Sequence, residues 1–307
     1  MNRWQVQGIT SVAWKIIAMA FQHCGIIGLG LLGGSLALDL RREFPALRIT
    51  GIARREQTLA DAANLRVDDV PVFTHLATEL AEVCTADLVV LCTPVQTIIQ
   101  TLAALSPCLA HGALVTDVGS TKRAVMNAAS TVLPPGVAFI GGHPMAGSDR
   151  AGLSHARAGL YRGATWALCV PPGQEAAAER LAALLARLGA CPLPIAADVH
   201  DDLVALTSHL PHVVAAAVTN RVLGSLYGDA VLPFIAGGFR DTTRVAAANP
   251  AMWRDILLTN RDRVVAALDA LLVELDGWRT AIRSGDAPHV EALLTTAHHR
   301  RERLNHD

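Results

Sequence analysis

The chain has 307 residues, 51% of them hydrophobic and 17% charged, with a formal net charge of −1. That balance excludes a disordered polyelectrolyte and removes the electrostatic basis for binding nucleic acid or an anionic membrane surface. Mean hydropathy is positive, +0.35, so a membrane span has to be tested against the apolar runs themselves.

The longest such run, residues 16–38, contains Gln22, His23 and five glycines. No small-residue cleavage site follows a short apolar core, so the run reads as neither a span nor a signal peptide. A strand, a turn and a helix explain the same letters, and no membrane association is expected. Residues 1–22 carry no clear pattern and read as an extension of unknown role. Only 4% of the chain is aromatic, so the core must be built from Ala, Leu, Val and Ile. Six cysteines lie in mostly apolar contexts without a C-x-x-C pair. They read as small buried hydrophobes in a reducing, cytoplasmic setting, not as a disulfide framework.

In chain order, short apolar strands are expected at 24–28, 48–52, 71–73, 88–92, 114–117, 138–141, 166–170 and 192–196. Helical stretches at 31–43, 57–64, 95–105, 122–131 and 175–188 separate them. Near-continuous apolar strands alternating with helices predict an α/β, Rossmann-type, mostly parallel sheet covered on both faces. Beyond residue 197 the pattern is helical: 198–222 as one helix interrupted at Pro211, 253–282 as a second, 289–304 as a third. The expected organisation is a dinucleotide-binding domain over 1–196 and an all-helical substrate and dimerisation domain over 197–307.

Gly28-Leu29-Gly30-Leu31-Leu32-Gly33 matches G-x-G-x-x-G between an apolar strand and an apolar helix. In that context the first glycine allows the tight turn, and the second lets backbone approach a pyrophosphate. The third lets helix and strand pack closely, and the helix N-terminus faces the phosphates. The competing reading is a plain tight turn. About 20 residues on, an NAD enzyme carries an acid against the ribose. Ala53 stands there, followed by Arg54 and Arg55. A guanidinium suits a 2′-phosphate, so NADP is the expected cofactor and NAD the alternative. Arg54 is the main contact and Arg55 supports it; the competing reading makes both exposed helix-start arginines. Thr93-Pro94 ends the next strand where a loop over the nicotinamide ribose would lie.

Ser120, in Asp117-Val118-Gly119-Ser120-Thr121-Lys122, is placed to cap a helix or to face the cleft. His143 sits between Gly141-Gly142 and Pro144 at a strand's carboxyl end, and its near-neutral pKa suits proton abstraction from an alcohol. His209 and His212 share a helix face at i, i+3. The further ligands zinc needs are not apparent beside them, so no metal is expected. Arg240 and Arg244, four apart after a glycine pair, suit a carboxylate substrate or form an exposed basic face.

Six segments occur in order: GLGLLGGSLAL from Gly28, DVGSTK from Asp117, GGHPMAG from Gly141, SHLPHV from Ser208, GGFRDTTR from Gly237 and NPAMWRDI from Asn249. Together they closely resemble the prephenate/arogenate (cyclohexadienyl) dehydrogenase family of tyrosine biosynthesis, over about residues 24–300. The glycine loop is unspecific; the combination of GGHPMAG with SHLPH and GGFRD is specific. The resemblance implies oxidative decarboxylation of prephenate or arogenate by a homodimer. It makes His143 the acceptor of the 4-hydroxyl proton and gives Ser120 the orienting of that histidine. Arg244 would hold a substrate carboxylate, with Arg240, His209 and His212 lining the pocket. Asp149, six residues after His143, would pair with the ammonium of arogenate, or it caps the following segment. Two alternatives remain: another dehydrogenase or reductase that joins a Rossmann domain to a helical one, and a non-catalytic NADP-binding sensor. The absence of lysine after Lys122 speaks against a hydroxyacid dehydrogenase that needs one in its helical half.

Overall fold

The computed structural model describes residues 21–146 and 152–305. Its centre is an eight-stranded sheet of order β10-β9-β8-β7-β6-β1-β2-β5. The strands are β1 (His23–Ile27), β2 (Arg48–Ile52), β5 (His75–Ala77), β6 (Leu88–Leu91), β7 (Leu114–Asp117), β8 (Ala138–Pro144), β9 (Thr165–Cys169) and β10 (Cys191–Pro194). All neighbours are parallel except β8 and β9. A two-stranded ribbon, β3 (Arg66–Val67) and β4 (Val70–Pro71), lies outside it. The mostly parallel α/β architecture read from the sequence is therefore the architecture found.

The chain starts at the middle of the sheet, runs out to β5, then returns to β6 on the other side of β1. That reversal leaves a crevice at the carboxyl ends of β1 and β6, where sheets of this topology bind ligands. Helices α1 (Leu31–Glu43), α2 (Glu56–Ala63), α3 (Val95–Leu105), α4 (Arg123–Val132) and α5 (Glu175–Arg187) connect the strands. Two apolar clusters result, one around Ile26, Leu40 and Ile49 and one around Val89, Ile98 and Val115. As composition required, both are mainly aliphatic; Trp166 and Tyr161 are the largest fully buried side chains.

Several boundaries differ from the expected ones. The strand placed at 71–73 lies at His75–Ala77. Val72 and Phe73 are buried, but Pro71 has already closed the β3–β4 ribbon, so the parallel strand begins after it. Pro211 does not interrupt its helix. The run Ala197–Leu223 is continuous, because a π-helical stretch, Ala205–His209, lies between α6 (Ala197–Val204) and α7 (Leu210–Leu223). The wider turn accommodates a proline that would otherwise clash with the Thr207 carbonyl. Conversely, the helix expected over 253–282 is two, α9 (Pro250–Thr259) and α10 (Arg261–Ser284). Buried Asn260 separates them, with its amide turned to the Asp201 carbonyl at 2.8 Å. Between α7 and α9 lies the short helix α8 (Gly237–Thr243), and α11 (Ala287–Glu302) follows α10.

Cys84 and Cys108 form a disulfide with Cα atoms 5.3 Å apart, contrary to the reading of all six as free hydrophobes. Two loops are drawn together there by the Ala110 N–H donating to the Cys84 carbonyl at 3.1 Å. Free Cys24 and Cys169 are buried as expected; free Cys191 is exposed.

Compactness divides the chain into residues 1–260 and 261–307. The helices from Ala197 to Thr259 thus fall within the unit that holds the sheet, and the compact division does not lie at 196/197. The run Ala197–Leu223 has the length and composition to cross a membrane, yet its inward residues include His200, Asp201, His209 and His212, all buried.

The glycine loop carries a sharp steric demand. A Cβ on Gly33 would lie 2.1 Å from the Gly28 carbonyl oxygen, so Gly33→Ala must push α1 off β1. We expect it to destabilise the protein by about 1–3 kcal/mol, read from the urea midpoint. An unchanged midpoint would contradict the close packing of α1 on β1.

Candidate active site

At the end of β1 the loop turns at Gly28, whose φ of +100° suits glycine. Its N–H donates to the Ile52 carbonyl at 2.9 Å. Leu29 is buried, and Leu31 and Leu32 are half-buried at the start of α1. A Cβ on Gly30 would meet no protein atom within 4 Å. Gly30 is also the N-cap of α1, with no side chain bonded to the helix's free N–H groups. Beside the loop, the Thr93 hydroxyl is buried and has no partner. An open backbone cradle, a helix N-terminus without a cap and an orphaned hydroxyl at the crevice together fit a dinucleotide. Gly28, Gly30, Gly33 and Thr93 would hold it, with Pro94 exposed as the N-cap residue of α3. Ala53 is buried at the end of β2, and Arg54 and Arg55 are exposed after it. Neither arginine forms an ion pair among the described residues.

The second part of the site is polar and buried. Lys122 and Asp117 are both fully buried and ion-paired. Asp117 Oδ1 accepts from the Gly142 N–H at 2.9 Å, while Lys122 Nζ donates to the Gly142 carbonyl at 2.6 Å. Both backbone groups of the residue before His143 are thereby held. Asp117 Oδ2 also accepts from the Gly119 N–H at 2.8 Å, which turns the chain after β7.

His143 follows on β8 and keeps part of its surface open. Its Nδ1 lies 2.9 Å from Nε2 of His200 on α6, and Nδ1 of His200 lies 2.7 Å from Asp201 Oδ1. Asp201 also accepts from the Lys122 and Arg123 N–H groups at 2.8 and 2.9 Å. It thus caps α4 from a different helix. Burial raises its carboxyl pKa, but the bonds from His200 and those two amides outweigh burial and leave it below the usual range. His143 is held well below the ordinary imidazole value, first by burial and then by its neighbours His200, Lys122 and His209. It is therefore neutral at neutral pH.

Of the two readings of Ser120, the helix-capping one is not found. The N-cap of α4 is Lys122, and the donors are taken by Asp201. Ser120 is half-buried in the turn before α4, and among the described residues it makes no hydrogen bond to His143, whose Nδ1 is occupied by His200.

His209, at the end of the π-helical stretch, is pushed down to about 4 by burial. The Asn260 amide lies 3.2 Å from its Nδ1. That amide also donates to a carbonyl, so Nδ1 accepts and the proton of neutral His209 sits on Nε2. His212 is also shifted down by burial and stacks on Trp253 at 3.5 Å between ring centroids. His209 meets the same indole edge-on at 6.0 Å. The two histidines therefore share an aromatic wall. Arg240 lies in the last turn of α8, and Arg244 opens the 3-10 turn that follows. Both are exposed, and α7 packs against both elements. Asp149 lies outside the described residues.

Sequence reasoning named His143, His209 and His212. It missed His200, Asp201 and Asn260, and it quoted Asp117 and Lys122 without a role. The available signal was the adjacent His200-Asp201 pair near the start of α6.

Residues 36–191 match the family model described as prephenate dehydrogenase, nucleotide-binding domain, and residues 196–296 match the one described as prephenate dehydrogenase, dimerization domain. The chain belongs to the prephenate dehydrogenase family. It is 38% identical over 285 residues to prephenate dehydrogenase of Bacillus subtilis, covering 91% of this chain and 75% of the relative. It is 32% identical over 275 residues to cyclohexadienyl dehydrogenase of Zymomonas mobilis, covering 88% and 92%. Among solved structures it is similar to prephenate dehydrogenase from A. aeolicus in complex with hydroxyphenyl propionate and NAD+ (TM-score 0.83, 29% identity, 92% and 98% covered). It is also similar to Synechocystis arogenate dehydrogenase (TM-score 0.76, 32% identity, 92% and 99% covered). This member of the family is thus a dehydrogenase with a nucleotide-binding domain of Rossmann type.

Within this dehydrogenase, the Lys122–Asp117 pair makes a direct test. Lys122→Met strands the Asp117 carboxylate in the interior and is expected to cost about 3–5 kcal/mol, measured by chemical denaturation. Stability within error of wild type would contradict the buried pairing.

Proposed function

We propose that the protein oxidatively decarboxylates prephenate or arogenate, giving 4-hydroxyphenylpyruvate or tyrosine, with NADP preferred over NAD. The observation that carries this is a neutral histidine, His143, at the carboxyl end of β8, in a sheet whose glycine loop fits a dinucleotide. The bound nicotinamide supplies a hydride acceptor. The chain's own residues do the rest. His143 accepts the proton of the ring's 4-hydroxyl. As the carboxylate leaves as CO2, its electron pair enters the ring, and the resulting phenolate takes the proton back from His143. Aromatisation makes decarboxylation favourable, so positioning and proton transfer are the main demands on the protein.

His209 offers an Nε2–H donor to a substrate oxygen, and His212 with Trp253 gives a flat wall for a ring. Arg244 and Arg240 supply charge for the substrate's carboxylates, Arg244 as the principal contact. Ser120, half-buried in the turn after β7, is assigned to the substrate's hydroxyl. Asp149 favours arogenate, through a carboxylate for its ammonium. Gly28, Leu29, Gly30, Leu31, Leu32, Gly33, Thr93 and Pro94 form the cofactor loop walls. Arg54 and Arg55 are unpaired cations where a 2′-phosphate would sit, and buried Ala53 offers no acid to a ribose hydroxyl. In this reading residues 1–196 serve the cofactor, and residues 197–307 serve the substrate and a homodimer. Supporting the dimer are the matched dimerization-domain model and exposed Leu272, Val273 and Leu275 on α10.

The test is reduced-cofactor absorbance with each substrate. His143→Asn should lower kcat about 10²–10⁴-fold. Because the His143 pKa is depressed, its acceptor form is lost only as pH falls through that lowered value, so the acid limb of kcat/KM lies below the 6.5 of an ordinary imidazole. Arg54→Asp should weaken NADP by roughly 1.5–3 kcal/mol with little effect on NAD. No turnover with either substrate would overturn the assignment, an acid limb above neutrality would overturn the role of His143, and equal weakening of both cofactors would overturn the NADP preference.

A further inference from the structure

An imidazole accepts a proton only at the nitrogen that carries none, so the tautomer of His143 decides whether it can act at all. The structure fixes that tautomer from a distance. Asp201 is fully buried, and each of its oxygens accepts a backbone N–H of the α4 start. An ionised carboxylate has no proton to give. The 2.7 Å contact with His200 is therefore a donation from His200 Nδ1. With a single proton on His200, at Nδ1, only an acceptor is left at Nε2, and across the 2.9 Å contact His143 then donates from its Nδ1. Nε2 of His143 is left with its lone pair free.

We propose that Asp201, acting through His200, is a positioning device that holds His143 in the one tautomer able to take the substrate proton. The inference rests on the reading of His143 as proton acceptor and goes beyond it by assigning two residues that touch neither cofactor nor substrate. The chemistry shows why a hydrogen-bonded chain is useful. The proton leaves the 4-hydroxyl as the C–H electron pair departs as hydride, and it returns to the phenolate after the C–CO2 bond breaks. No net proton enters or leaves, so His143 must hold positive charge briefly in a buried place and release it again. A chain ending in Asp201 stabilises that imidazolium through His200 and keeps the ring from turning. The groups facing His143 are His200 from α6, Lys122 from the start of α4 and His209 from the π-helical stretch. Lys122 is paired with Asp117, so among the described residues Asp201 is the anion in line with the ring.

The experiment uses His200→Leu and His200→Gln, which leave the Asp201 cap of α4 in place, together with nitrogen-15 spectra of the histidine rings. In the wild-type protein at pH 7, the spectra should show His143 with a proton on Nδ1 and none on Nε2. In His200→Leu both tautomers of His143 should appear. The kcat should fall about 100-fold, with KM for substrate and cofactor within about twofold. His200→Gln, whose amide oxygen can accept from Nδ1, should recover about tenfold of that loss. A wild-type His143 protonated on Nε2 would overturn the proposal. So would equal kcat values for the Leu and Gln variants, or a loss confined to KM. The failure of the functional reading is distinguishable: the protein would turn over neither substrate while its ring spectra still reported the tautomer.

Discussion

The arrangement depends on one buried carboxylate. Asp201 has no solvent contact and accepts three hydrogen bonds, two from the backbone at the start of α4 and one from His200. A lone charge at that depth would be strongly unfavourable. With three donors aimed at it, the carboxylate stays ionised. It therefore ties together two parts of the chain that are 78 positions apart: the loop after β7, which carries the Asp117–Lys122 pair, and α6. Through Asn260, which donates to the Asp201 carbonyl, the same residue is also linked to the tautomer of His209.

From that anchor the two halves of the site acquire opposite characters. The cofactor side is mostly backbone: a glycine turn, free helix N–H groups and one unsatisfied hydroxyl. The other side is side-chain chemistry, with two neutral histidines presenting complementary ring nitrogens, His143 an acceptor and His209 a donor. Burial explains why both are neutral. The cations Arg54, Arg240 and Arg244 remain exposed and bear no desolvation penalty. A net charge of −1 is thus compatible with locally cationic edges.

The sheet was largely legible in the sequence, because buried parallel strands are apolar runs and the glycine loop has a fixed grammar. Short edge features were not: Pro71 and Phe73 look like a strand, yet the ribbon β3–β4 takes up the chain first and the parallel strand starts at His75. Helix breaks were misplaced for a related reason. Proline is a local signal, and the π-helical turn at Ala205–His209 absorbs it. Asn260 is an ordinary residue in sequence, and only its tertiary bond to Asp201 makes it a break. Within the site, His143 was legible through its glycine and proline neighbours. His200 and Asp201 were not, since their meaning lies in contacts with residues 57 and 78 positions away. The cysteine reading failed likewise, because Cys84 and Cys108 meet only through loop packing.

In the proposed reaction, a dinucleotide on the glycine loop and the hydroxyl of a six-membered ring meet at a bare nitrogen of His143. A crystal structure of the protein with NADP+ and a phenolic product analogue tests it most directly. The expected result is the pyrophosphate over Gly30, the phenolic oxygen about 2.6–3.2 Å from His143 Nε2, and the His143–His200–Asp201 chain unbroken behind it. A ligand hydroxyl placed away from His143, or a His143 ring turned so that Nδ1 faces the ligand, would contradict it.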